Sequence, residues 1–135
     1  MTNNFIPLNE NFYALKALGI SCIINNRPDN EEFDQPKSDE IETAVHAAGM
    51  SYASIPVVGS GITGDHLDEF MKALETCDGI ALGFCKSGTR SVILRAFALA
   101  RAGHSIDLLI REAEAAGYQI TGHRNAMKML AAQHS

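Results

Sequence analysis

Gly79-Ile-Ala-Leu-Gly-Phe-Cys-Lys-Ser-Gly-Thr-Arg-Ser91 carries an apolar run into a short polar loop and then into a long helical pattern, Val92 to Arg101. A run of this length reads as a buried strand. The stripe of Val92, Ile93, Ala96, Phe97 and Ala100, with Leu94 on another face, reads as a helix buried on most sides. Cys85 therefore falls at the carboxyl end of a strand, and Lys86, Ser87, Gly88 and Thr89 wrap from it into a helix N-terminus. Such a loop turns backbone N–H groups inward, and the helix end adds about half a positive charge, so the place suits an anion or a thiolate. Arg90 closes the cradle with a planar fork that can grip two oxygens of a tetrahedral oxyanion. Lys86 raises the local potential. A buried small hydrophobe is the common fate of a cysteine, but the pattern Cys-x-x-Gly-x-Arg-Ser at a strand-to-helix turn favours chemistry.

Working outward, strands and helices alternate. Ile20 to Ile24 has the length and composition of a strand, and Asn25 to Lys37, polar with two prolines, is a loop. Asp39 to Ala48 places Ile41, Ala44, Val45 and Ala48 on one helix face, ended by Gly49. Tyr52 to Val58 is a second strand, and Leu67, Phe70, Met71 and Leu74 stripe a second helix with Thr63 as its cap. A short helix, about Asn9 to Leu18, precedes the first strand. Helices over Ser105 to Ala116 and His123 to Ala132 follow the cysteine unit. The expectation is one α/β domain over residues 1–135, three layers with a central parallel sheet of about four strands flanked by helices. Ligands of open α/β sheets bind beyond the strand carboxyl ends, where Cys85, Asn25-Asn26-Arg27 and Val58-Gly59-Ser60 converge.

The 135 residues suffice for one core without staples. Three cysteines, Cys22, Cys77 and Cys85, at irregular spacing give no disulfide framework and no zinc pattern. Cys22 reads as core and Cys77 as a helix-end residue. The histidines show no metal-like spacing, so no metal is expected. The net charge of −5 excludes a general nucleic-acid binder, and no run approaches a membrane span or a leader, so a cytoplasmic location is expected.

Gly59-Ser-Gly-Ile-Thr-Gly64 matches a dinucleotide fingerprint in form. It fails in context, because the acidic residue required about 20 positions on is replaced by Phe84-Cys85, and no cofactor is expected. The glycines serve better as a lip over the cysteine. Asp65 is a candidate general acid, or simply a first-turn residue favoured by the helix dipole. Arg27 either adds a second cation to the anion site or pairs with Asp29 or Glu31.

Asn25-Asn26-Arg27-Pro28-Asp29, Tyr52-Ala-Ser-Ile-Pro-Val57 and Phe84-Cys-Lys-Ser-Gly-Thr-Arg-Ser91 resemble the phosphatase-like domain of beta-lactamase-hydrolase-like proteins, over roughly residues 5 to 115. The resemblance implies a fold like that of dual-specificity phosphatases. It also implies that Cys85 is a nucleophile forming phosphocysteine, Arg90 the phosphate clamp, and Ser91 the hydroxyl that steadies the thiolate. The loop departs from those phosphatases: Phe84 stands where histidine is usual, and four residues separate Cys85 from Arg90 in place of five. That spacing is similar to rhodanese-type sulfurtransferases, whose cysteine carries a persulfide. Three functions stay open at this point: phosphoester hydrolysis on a small anion or a phosphoprotein, sulfur transfer from a low-molecular-weight persulfide, and non-catalytic anion binding.

Overall fold

The computed structural model describes residues 10–33, 35–58, 61–85 and 88–133. Three parallel strands, β1 (Ile20–Asn25), β2 (Ser51–Ser54) and β3 (Ile80–Phe84), form a sheet in the order β2-β1-β3. The expected strands are present, but the sheet has three members among the described residues where about four were expected. β2 is also shorter than the apolar run that suggests it. Beyond Ser54 the chain continues extended past Pro56, bonded to β1 only at Ile55 and Val57, whose N–H groups reach the carbonyls of Asn25 and Asn26 at 2.8 and 3.0 Å.

Side-chain alternation along the strands builds the layers. Ile23 of β1 with Leu82 and Phe84 of β3 points to one face, where Phe12 of α1 (Glu10–Ala17) and Ile41, Ala44 and Val45 of α2 (Ser38–Ala47) complete a core. Ile24 points to the other face, against Leu67 and Phe70 of α3 (Gly64–Thr76) and Leu94 and Ala98 of α4 (Thr89–Arg101). A parallel sheet covered on both faces is the arrangement that the sequence indicates. α4 is buried on two sides. Its Val92, Ala96, Leu99 and Ala100 pack against α5 (Ile106–Ala115) and against Met127 of α6 (Arg124–Ala131), so it runs through the interior.

The connections place α2 and α3 on opposite faces of the sheet, so the chain reverses across β1. The carboxyl ends of β1, β2 and β3 then lie together, which is where such sheets bind ligands.

One covalent feature corrects the sequence reading. Cys22 and Cys77, 55 residues apart, form a disulfide, where no pairing was expected. The bond ties the start of β1 to the residue that ends α3, an approach that spacing alone does not reveal. Nearby, Gly79 approaches β1 closely, and a Cβ there would collide with Ser21. Cys85 is buried and free. No described helix is long and apolar enough to cross a membrane.

Candidate active site

Gly88 shapes the cysteine loop. Its φ of +84° is left-handed, the region that glycine enters without a Cβ penalty. In that conformation it caps α4 and points its N–H at Cys85 Sγ, 3.1 Å away. α4 therefore begins at Thr89, three residues before the apolar stripe that suggests it. Lys86 and Ser87, expected to contribute to the anion loop, lie outside the described residues, as do Gly59 and Ser60 of the expected lip. Thr89 is exposed at the helix start.

Arg90 occupies the first turn of α4, and its guanidinium is anchored on its outer edge. One terminal nitrogen donates to the Val57 carbonyl at 2.7 Å and the other to Glu31 at 2.8 Å. Arg27, buried at the end of β1, donates to the same Glu31 oxygen at 3.2 Å and pairs with Glu32 at 3.6 Å. Of the two alternatives for Arg27, an anion ligand or an ion pair with Asp29 or Glu31, the structure shows the pair with Glu31. The hydrogen bond from Arg90, followed by the fields of both arginines, lowers the Glu31 carboxyl below its ordinary range. Reciprocally, the bond to Glu31 raises Arg90, and the Cys85 sulfur adds to this. The guanidinium thus lies between a bonded carboxylate, Glu31, and the field of the Cys85 sulfur.

Ser91 is fully buried, and its hydroxyl lies 2.7 Å from Asn26 Oδ1. Asn26, also fully buried, spends its amide N–H on the Ile55 carbonyl at 2.9 Å. Asn25 holds Tyr52 Oη at 2.9 Å and accepts the Arg27 N–H at 2.9 Å, so the strand end is pinned on both sides.

Asp65 is exposed in the first turn of α3 and makes no hydrogen bond or ion pair with Cys85, Arg90 or any other described residue. Its neighbour His66 completes a capping box with Thr63, accepting the Thr63 N–H at Nδ1 over 2.9 Å. Among the described residues no cluster of His, Cys, Asp or Glu could hold a metal. Two features escape sequence reasoning, the bond of Glu31 to Arg90 and the place of Tyr118. Glu31 sits in a polar loop where any carboxylate looks solvated. Tyr118 follows α5, and its phenol is raised above its ordinary range by burial first and by the Cys85 charge second. No local pattern marks either residue.

Known proteins align with this arrangement. Residues 8–103 match the family model of the beta-lactamase hydrolase-like protein, phosphatase-like domain. The beta-lactamase hydrolase-like protein of Xylella fastidiosa is 40% identical over 90 residues, which is 67% of this chain and 21% of that protein. That of Agrobacterium fabrum is 40% identical over 88 residues, covering 65% of this chain and 20% of that protein. The chain thus spans about a fifth of the length of these relatives. A solved structure of a candidate phosphatase from Neisseria meningitidis superposes with a TM-score of 0.80 at 29% identity, over 95% of this chain and 89% of that one. The core catalytic domain of a PP-IP phosphatase from S. cerevisiae, in complex with citrate, shares the fold at a TM-score of 0.65 and 19% identity, over 95% of this chain and 78% of that one. With the cysteine loop at the end of β3 and its arginine in the first turn of α4, the chain belongs to the phosphatase-like domain family of beta-lactamase hydrolase-like proteins.

Proposed function

We propose that the chain hydrolyses phosphoesters through a phosphocysteine formed on Cys85. The observation that carries this reading is the Gly88 N–H aimed at a buried sulfur whose field also reaches the guanidinium of Arg90. A thiolate lone pair attacks phosphorus to form S–P, while the ester P–O bond breaks and its electrons leave on the ester oxygen, which takes a proton. Water then forms a new O–P bond and gives a proton back to the group that protonated the ester oxygen, while S–P breaks and its electrons return to sulfur. Arg90, held at its outer edge by Val57 and Glu31, keeps its other edge for the equatorial oxygens whose charge grows in each step. The α4 N-terminus adds its dipole, and Lys86, Ser87 and Thr89 complete the proposed anion loop. Arg27 serves the site through Glu31.

The leaving oxygen needs a proton source. The Glu31 carboxyl is held below its ordinary range and so has no proton to donate near neutral pH, and Asp65 is the carboxyl we assign as acid, reached once substrate is bound. Aryl phosphates leave without such help. The test is therefore hydrolysis of an aryl phosphate by the native protein, Cys85→Ser and Arg90→Lys. Cys85→Ser should abolish turnover, and Arg90→Lys should cost on the order of 10²–10³-fold in kcat. Full activity in Cys85→Ser would remove the nucleophile from the account.

The four-residue spacing from Cys85 to Arg90 favours a second reading, transfer of a sulfane sulfur through a Cys85 persulfide. That reaction needs no acid on an oxygen leaving group. On location, we propose the cytoplasm, where thiol pools would keep the Cys22–Cys77 pair, bridged in this structure, reduced. Blocking thiols in intact cells should then find Cys22 and Cys77 free; a bridge intact in cells would place the chain in an oxidising compartment.

A further inference from the structure

Away from the candidate site, the Cys22–Cys77 bridge presents two unequal sulfurs. Cys22 lies within β1 and is 6% exposed, which shields its sulfur from solutes. Cys77 ends α3, is partly exposed, and is followed by exposed Asp78 and Gly79. The hydrogen-bonding neighbours differ in the same sense. The Ser51 hydroxyl donates to Cys22 Sγ at 3.1 Å, while its alternative acceptor, the Ser21 carbonyl, is farther away at 3.4 Å. Cys77 Sγ meets the Gly79 carbonyl at 3.6 Å, which has no proton to give, and the Ser21 hydroxyl only at 4.0 Å. Thiol–disulfide exchange is fastest where the attacked sulfur is accessible and the departing sulfur is stabilised as a thiolate. Access selects Cys77 for attack. Burial alone would make Cys22 a poor leaving thiolate, so the Ser51 hydroxyl decides whether it can leave.

We propose that Cys77 is a thiol-exchange site, at which a small thiol of the glutathione class opens the bridge with a fixed polarity. The incoming thiolate forms a new S–S bond to Cys77 as the bond to Cys22 breaks. The electron pair of the broken bond leaves on Cys22, which is received by the Ser51 hydroxyl and takes a proton from water. Cys77 then carries the mixed disulfide, the thiol having been oxidised and Cys22 reduced. A second thiol removes the first from Cys77 as its disulfide and leaves both cysteines free; attack by Cys22 on Cys77 instead closes the bridge again. Opening frees one end of α3. The buried residues of that helix, Leu67 and Phe70, lie in its first half, so beyond Phe70 only partly buried side chains and the bridge fasten it.

The experiment exposes the bridged protein, native, Ser51→Ala and Ser21→Ala, to reduced glutathione for graded times. Samples are quenched in acid, where exchange stops, and mapped as peptic peptides at low pH. Glutathione should be found on Cys77 with Cys22 free. The bridge in Ser51→Ala should open more slowly by about three- to tenfold, because the departing thiolate has lost its hydrogen bond. Ser21→Ala should open at the native rate. Both serines lie at strand starts, away from the strand ends that carry the candidate site, and the readout needs no turnover, so it stands apart from the test of Cys85. Glutathione on Cys22, or a native opening rate in Ser51→Ala, would overturn the proposal, as would a bridge that glutathione does not open. If the adduct recloses too quickly to be caught, the comparison of opening rates decides alone.

Discussion

Gly88 joins two requirements in one residue, a left-handed turn and an N–H directed at sulfur. Alanine there meets the left-handed conformation with a Cβ, at a cost of about 1–2 kcal/mol, and relief of that strain would swing the N–H off the sulfur. Gly88→Ala should therefore lower both the urea midpoint and the alkylation rate of Cys85; an unchanged rate with a lowered midpoint would show that the amide does not serve the sulfur. Glu31 makes a different test. Its carboxyl is held below its ordinary value, first by the Arg90 hydrogen bond, so its contribution to stability is full above that value and fades as pH falls through the lowered one. Its side chain is 26% exposed, so the effect stays below about 1 kcal/mol. Glu31→Gln should be the less stable protein at about pH 7 and match the native one in acid, where the native carboxyl is also neutral. An equal difference at both ends, measured by urea unfolding, would show that the ion pair is not its source. The cysteine, its arginine and the enclosing loop are legible in the sequence because their chemistry is packed into one contiguous stretch. Asn26 is legible only as a polar strand end, since the direction of its amide is set by Ile55 and Ser91, 29 and 65 residues away.

At the scale of elements, helices are read well because a stripe of apolar side chains is a local property. α5 begins where Ser105 caps it, at 3.2 Å from the Leu108 N–H, and α3 begins at its Thr63 box, as the sequence indicates for Thr63. Pairing between elements is not local. The Cys22–Cys77 bond depends on the α3–β3 connection lying against the start of β1, and cysteine count and spacing carry no trace of that. Closing a loop of 55 residues removes enough denatured-chain entropy to contribute ~4 kcal/mol in the chain-entropy model. Reduction, or Cys77→Ser, should therefore lower the thermal midpoint clearly while leaving Cys85 chemistry in place. A midpoint insensitive to reductant would mean that the bridge does not hold the native state together.

Across the whole molecule, a chain of net charge −5 gathers Arg27 and Arg90 in one place, where three strand ends meet the N-terminus of a buried helix. Two arginines there share one carboxylate, so the local positive field is moderated. With Asp65 exposed and bonded to no described residue, alkyl phosphates should be hydrolysed far more slowly than aryl phosphates. Asp65→Asn should widen that gap if Asp65 is the acid; the same ratio in both proteins would exclude it. The central claim is that Cys85 carries phosphorus between two displacement steps, and the most direct measurement is intact-mass and peptide mapping of the protein quenched in acid during turnover of an aryl phosphate. The account predicts one phosphoryl group on Cys85, absent from Cys85→Ser, and no added sulfur after incubation with thiosulfate or glutathione persulfide. A persulfide on Cys85 with no phosphocysteine under either condition would contradict it.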